Sequence, residues 1–148
     1  MFCASVVNAK NAANWYNRGA VKSSPEEDRL IEIWRELLDR HARATSALER
    51  SLHEHGLGVS EYEVLERLAT GDTDERRMQE LAEAVHLSQS ALSRVVARLE
   101  ADGLVTRAMC STDRRGIFAC LTEAGRERYA AARPAHRAVL AEALDAPR

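Results

Sequence analysis

The chain has 148 residues, 45% hydrophobic and 30% charged, with a formal net charge of −2. That suffices for one domain with arms around a real core, and no apolar run approaches the roughly 20 residues a membrane span needs. Three widely spaced cysteines do not form a disulfide framework, and MFCASVV is too short for a signal-peptide core, so a cytoplasmic protein with no membrane partner is expected.

In chain order, residues 1–23 read as an arm. It carries Lys10, Arg18 and Lys22 and no acid, with Phe2, Val6, Val7, Trp15 and Tyr16 as its larger apolar groups. Ser24-Pro25-Glu26-Glu27 then predicts a helix start. Ser24 can cap the Glu27 amide while Glu27 reaches back, and Pro25 suits the first helical position. The helix should run to about His55, with Leu30, Trp34, Leu37, Leu38, His41, Leu48 and Leu52 near one stripe at three- and four-residue steps. That face exceeds what one small domain needs, so residues 24–56 are expected to pack against a second protomer.

Gly56-Leu57-Gly58 ends this helix, and Ser60-x-x-Glu63 is read as the capping box of the next, with Tyr62, Leu65 and Leu68 inward. Residues 71–75 read as a polar loop. A third helix is expected over about 77–85, then the turn His86-Leu87, the N-cap Ser88 and a fourth helix over about 89–102. Leu92, Val95, Val96 and Leu99 form that helix's apolar stripe, and Gln89, Ser90, Ser93, Arg94 and Ala97 its opposite face. Residues 104–109 and 117–121 read as the strands of a hairpin, with Cys120 alternating toward the core. Thr122 caps a last helix to about Leu144, with Pro134 expected to kink it.

Two short helices, a tight turn and a hairpin in that order predict a mainly α fold with a small β-wing. This is a winged helix-turn-helix at 57–121, flanked by dimerisation helices at 24–56 and 122–148. A helix fits the major groove, and its outward N-terminal side chains reach base edges. Gln89 suits adenine and Arg94 guanine, while Ser88, Ser90 and Ser93 allow close approach to phosphates, with Arg98 further along the helix. Asp113-Arg114-Arg115 at the hairpin tip can send an arginine into the minor groove while Asp113 braces the other. From 86 to 121 the balance is slightly basic, with Arg94, Arg98, Arg107, Arg114 and Arg115 against Glu100, Asp102 and Asp113. Apart from Lys10 and Lys22 every cationic side chain is arginine or histidine, a bias that suits phosphate contact.

MQELAEAVHLSQSALSRVVARLEADGLVTR followed by STDRRGIFACLTEAGR resembles the MarR family of bacterial winged-helix regulators, over about 26–136. The resemblance implies a homodimer on a pseudo-palindromic double-stranded DNA operator, usually repressing a nearby gene and commonly released by small aromatic or phenolic ligands, by oxidants or occasionally by metals. It carries the recognition helix onto 88–98 and the wing onto 113–115. Departures are His86 where the family often has Gly, a C-terminus that ends earlier, and a longer N-terminal arm. Histidine tolerates a left-handed backbone better than most residues, so the turn is expected to survive.

Trp34, His41, Tyr62 and His136 are candidates for a ligand-lined cleft; the alternative is that they serve as core and interface side chains. Cys110, beside the wing and near Arg107 and Arg114 in sequence, is the candidate redox thiol. No compact metal-ligand set, phosphate-binding glycine loop or catalytic motif is found, so neither a cofactor nor enzyme activity is expected. Two alternatives remain: a winged-helix module that binds protein instead of DNA, and a redox-sensing regulator using Cys110.

Overall fold

The computed structural model describes residues 24–109 and 116–145. Two compact units divide the chain, Met1–Leu37 and Leu38–Arg148. Helix α1, Pro25–His53, begins as the sequence predicts: the Ser24 hydroxyl accepts the Glu27 amide at 3.3 Å, and Glu27 accepts the Ser24 amide at 2.6 Å. Within the first unit Leu30, Ile31, Ile33, Trp34 and Leu37 are all exposed, Trp34 by 60%. Further along the same helix Ala44, Leu48 and Leu52 are buried.

The second unit holds the remaining elements: α2 (Val59–Ala69), β1 (Glu75–Arg77), α3 (Met78–Ala84), α4 (Gln89–Ala101), β2 (Val105–Met109), β3 (Ile117–Leu121) and α5 (Glu123–Asp145). Its core gathers Leu52 of α1, Tyr62, Leu65 and Leu68 of α2, Leu81 of α3, and the α4 stripe Leu92, Val95, Val96 and Leu99. Tyr129 of α5 is also buried in this core.

Three helices end on one device. After α1, α3 and α4 a residue with positive φ turns the chain: Gly56 at 68°, His86 at 54° and Gly103 at 71°. In each case the next residue donates back into the helix, Leu57 to Leu52, Leu87 to Ala82 and Leu104 to Leu99, at 2.8–3.1 Å. This 6→1 closure satisfies a carbonyl that the helix end leaves open and turns an apolar residue inward. Leu57 and Leu104 are buried as a result, and Leu87 packs against the core. His86 adopts the left-handed conformation that its place in the turn requires.

Around α2 and the loop after it, two expectations need correction. The α2 N-cap is Gly58, with Glu61 reaching back to it as half of a capping box, not Ser60 with Glu63. The helix starts at Val59, so Glu61 is the third helical residue, and its carboxylate accepts the Gly58 amide at 2.8 Å. The polar loop contains a strand. β1 pairs antiparallel with β3, Glu75 opposite Cys120 and Arg77 opposite Phe118, giving the sheet order β1-β3-β2. A short charged strand at a sheet edge carries no apolar alternation, and the charge discourages further pairing.

β2 and β3 pair with Val105 opposite Leu121 and Arg107 opposite Ala119. Ala119 is fully buried, which corrects the expectation for Cys120. Alternation puts Cys120 on the other face, where its thiol lies 3.7 Å from Glu75. The start of α5 is fastened to the end of α4. Thr122 Oγ1 donates to the Gly103 carbonyl at 2.8 Å and accepts the Gly125 amide at 3.0 Å, while the Thr122 amide donates to the Leu104 carbonyl at 3.2 Å. Arg126, one turn on, is ion-paired with Asp74.

Candidate nucleic-acid interface

Helix α4 has two unlike faces because its sequence has two. Leu92, Val95, Val96 and Leu99 recur at helical spacing and are 0–5% exposed, which fixes the helix's rotation. Gln89, Ser90, Ser93, Arg94 and Arg98 are consequently turned to solvent. Ser88 has the extended backbone of an N-cap, and its hydroxyl accepts the Ala91 amide at 3.2 Å. It also lies 3.2 Å from the Ser90 hydroxyl. The exposed end of the helix therefore combines a positive dipole end, small hydroxyls and an amide, a composition suited to close approach of phosphates and base edges.

The basic side chains expected to act together have different partners. Arg94 forms no ion pair among the described residues. Arg98 donates through Nε to Glu61 of α2 at 2.6 Å. Arg107 of β2 reaches back along α4 to the Ser93 carbonyl and Glu100. In the sequence Glu100 enters only the charge balance, and Glu61 carries no signal of its own. Glu61 and Arg98 lie 37 positions apart, and no local signal joins them. Cys110, Asp113, Arg114 and Arg115 lie outside the described residues, as do Cys3 and the arm.

Of the four ligand candidates, Tyr62 and His136 come together. The Tyr62 and His136 rings stack with centroids 4.0 Å apart at 22°, and Tyr129 lies 5.6 Å from Tyr62. Trp34 and His41 are exposed. Tyr62 Oη and both His136 ring nitrogens are buried without a hydrogen-bond partner. His136 Nε2 is 3.9 Å from Glu63, beyond hydrogen-bond reach, so burial decides its charge. Burial lowers the imidazole's pKa below its ordinary value, with Glu66 opposing and Arg137 adding to the effect. Burial likewise raises the Tyr62 phenol and the Glu63 carboxyl. Burial, then Glu75, raises the Cys120 thiol, which makes it a poor redox centre.

A three-helix core whose last helix turns a polar face outward, backed by a hairpin, defines a winged helix-turn-helix. The MarR family model matches residues 55–116. AbsC, a MarR family transcriptional regulator from Streptomyces coelicolor, is similar in structure with a TM-score of 0.75 and 37% identity, covering 84% of both chains. Sco3205, a MarR family transcriptional regulator from the same organism solved in complex with DNA, has a TM-score of 0.75 at 33% identity, covering 83% of this chain and 76% of that one. The curated regulator MhqR of Bacillus subtilis is 35% identical over 79 residues, 53% of this chain and about half, 52%, of its own length. The chain belongs to the MarR family of transcriptional regulators. Among its described residues no helix is long and apolar enough to cross a membrane.

Proposed function

We propose that the chain is a sequence-specific DNA-binding repressor that acts as a homodimer on a pseudo-palindromic operator. The observation that carries this is α4: a helix locked in rotation by four buried apolar residues, with Ser88, Gln89, Ser90, Ser93 and Arg94 at its exposed N-terminal end. Arg94 is the side chain for guanine and Gln89 for adenine, and the serines lie against the backbone. One of Arg114 and Arg115 enters the adjacent minor groove while Asp113 braces the other. The exposed stripe Leu30, Trp34, Leu37 and Leu38 is the surface that a second copy covers, which supports residues 24–56 and 122–148 as the dimerisation helices. Tyr62 and His136, stacked between α2 and α5 with unpartnered polar atoms, are the best supported part of a site for a small aromatic effector. Trp34 and His41 are better read as surface that a partner covers.

The test is selection from random-sequence duplexes, followed by gel shift of the selected site against a shuffled one. Recovery of two inverted half-sites about one helical turn apart supports the reading. Equal affinity for selected and shuffled DNA refutes it and favours a protein-binding module.

A further inference from the structure

Two arginines of the basic block are engaged with the protein itself. Arg98 Nε donates to Glu61 Oε1 at 2.6 Å, and Oε2 of the same carboxylate accepts the Gly58 amide at 2.8 Å. One carboxylate, whose side chain is only 14% exposed, thus ties the last turn of α4 to the first turn of α2. Arg107 binds the same helix from its middle to its last turn. Its Nη2 donates to the Ser93 carbonyl at 3.0 Å, its Nη1 lies 3.7 Å from Glu100 Oε2, and its amide donates to Glu100 Oε1 at 3.3 Å. Arg107 shares a sheet face with buried Ala119, its cross-strand partner, which is why it points to the helix.

We propose that Arg98 and Arg107 are positioning residues: they fix the recognition helix against α2 and against the wing, and neutralise no DNA phosphate. The inference rests on the DNA-binding reading above. Apolar packing is non-directional, so the leucine–valine stripe sets which face of α4 is buried but resists small tilts and slides weakly. Base readout tolerates only about 0.5 Å and 10–20° of error. Charge-assisted hydrogen bonds are directional, and here they hold α4 at two points to two different elements. Each arginine is also matched by a carboxylate, so neither brace adds net charge to the DNA-facing surface.

The experiment measures affinity for the selected duplex and for the shuffled one across a salt range. The variants are Arg98→Ala, Arg107→Ala, Glu61→Gln, Glu100→Gln and the double variant Arg98→Ala/Glu61→Gln. Melting temperatures are taken in parallel, because Glu61→Gln also weakens the α2 cap. The selected-to-shuffled affinity ratio is expected to fall about five- to tenfold in each arginine variant, the net worth of about one ordinary hydrogen bond. The slope of log affinity against log salt stays at the parent value. Glu100→Gln reproduces Arg107→Ala, and the double variant discriminates no worse than the poorer single.

A slope smaller by about 0.9 in either arginine variant, the signature of one lost phosphate contact, overturns the proposal. So does Glu61→Gln that raises both affinity and slope by freeing Arg98. If the parent discriminates no DNA at all, the DNA-binding reading falls by itself. The braces are then judged on the free protein by nitrogen NMR of the arginine side chains. A slowly exchanging Arg98 Nε–H that Glu61→Gln abolishes upholds the brace, and fast exchange in the parent overturns it.

Discussion

Gly125→Ala tests the junction that carries the recognition helix into α5. A Cβ on Gly125 would overlap the Leu104 carbonyl oxygen, lie 3.0 Å from the Leu104 carbonyl carbon and 2.8 Å from Leu121 Cδ1. The obstacle is mostly backbone, so no side-chain rotation relieves it. Moving α5 away instead breaks the Thr122 bonds to Gly103 and Leu104. Overpacking costs about 1–3 kcal/mol, and two strained hydrogen bonds add about 0.5–1.5 kcal/mol each. Alanine's better helix propensity returns about 1 kcal/mol. With the middle of each range the net loss is about 3 kcal/mol, a melting-temperature drop of roughly 6–12 °C for a chain of this size. Gly103→Ala is the control. Nothing lies within 4 Å of its Cβ, and only its φ of 71° opposes the substitution, which costs about 1–2 kcal/mol. Urea unfolding of both variants decides the matter. A Gly125→Ala protein within about 0.5 kcal/mol of the parent, the range of innocuous surface changes, or one more stable than Gly103→Ala, refutes the steric argument.

Arg94→Ala is expected to weaken the selected site by about 1–3 kcal/mol and relax preference at one position of each half-site, read by competition with altered duplexes. Arg114→Ala and Arg115→Ala should leave the melting temperature unchanged, while at least one of them lowers the salt slope by about 0.9. Trp34→Glu with Leu37→Glu should convert the dimer to monomer by light scattering, because both side chains lie on the exposed stripe; a parent that is already monomeric contradicts the homodimer. His136 binds protons less readily in the fold than in the unfolded chain. Its contribution is therefore complete above an unfolded pKa of about 6.5 and is lost as pH falls below that value. Urea midpoints taken across that window should drop on acidification in the parent and drop less in His136→Phe. The raised Glu63 carboxyl acts with the opposite sign, its contribution being lost as pH rises above its unfolded value, so only the difference between the two proteins isolates the imidazole.

The sequence by itself determined the elements whose cause is local. Helix α1 starts at Ser24 because a serine, a proline and a glutamate satisfy open amides within one turn. The buried face of α4 follows from the spacing of Leu92, Val95, Val96 and Leu99, and periodicity needs no knowledge of what lies opposite. The turn at His86 was legible for the same reason, since its conformation is a property of the chain at that point. Tertiary structure decided everything that depends on a partner distant in sequence. β1 exists because β3 is beside it, so Glu75-Arg76-Arg77 has a strand's hydrogen bonds without a strand's composition. Ala119, not Cys120, faces the core because pairing with β2 fixed the register. Arg98 and Arg107 look alike in a count of positive charge, yet their partners are chosen by where α2 and β2 pass. Tyr62 and His136 belong to separate helices and became one stacked pair only when α2 and α5 closed on each other. Helical and turn energies are set within a few residues, whereas strand pairing, ion pairing and aromatic stacking are set by packing that no window of sequence contains.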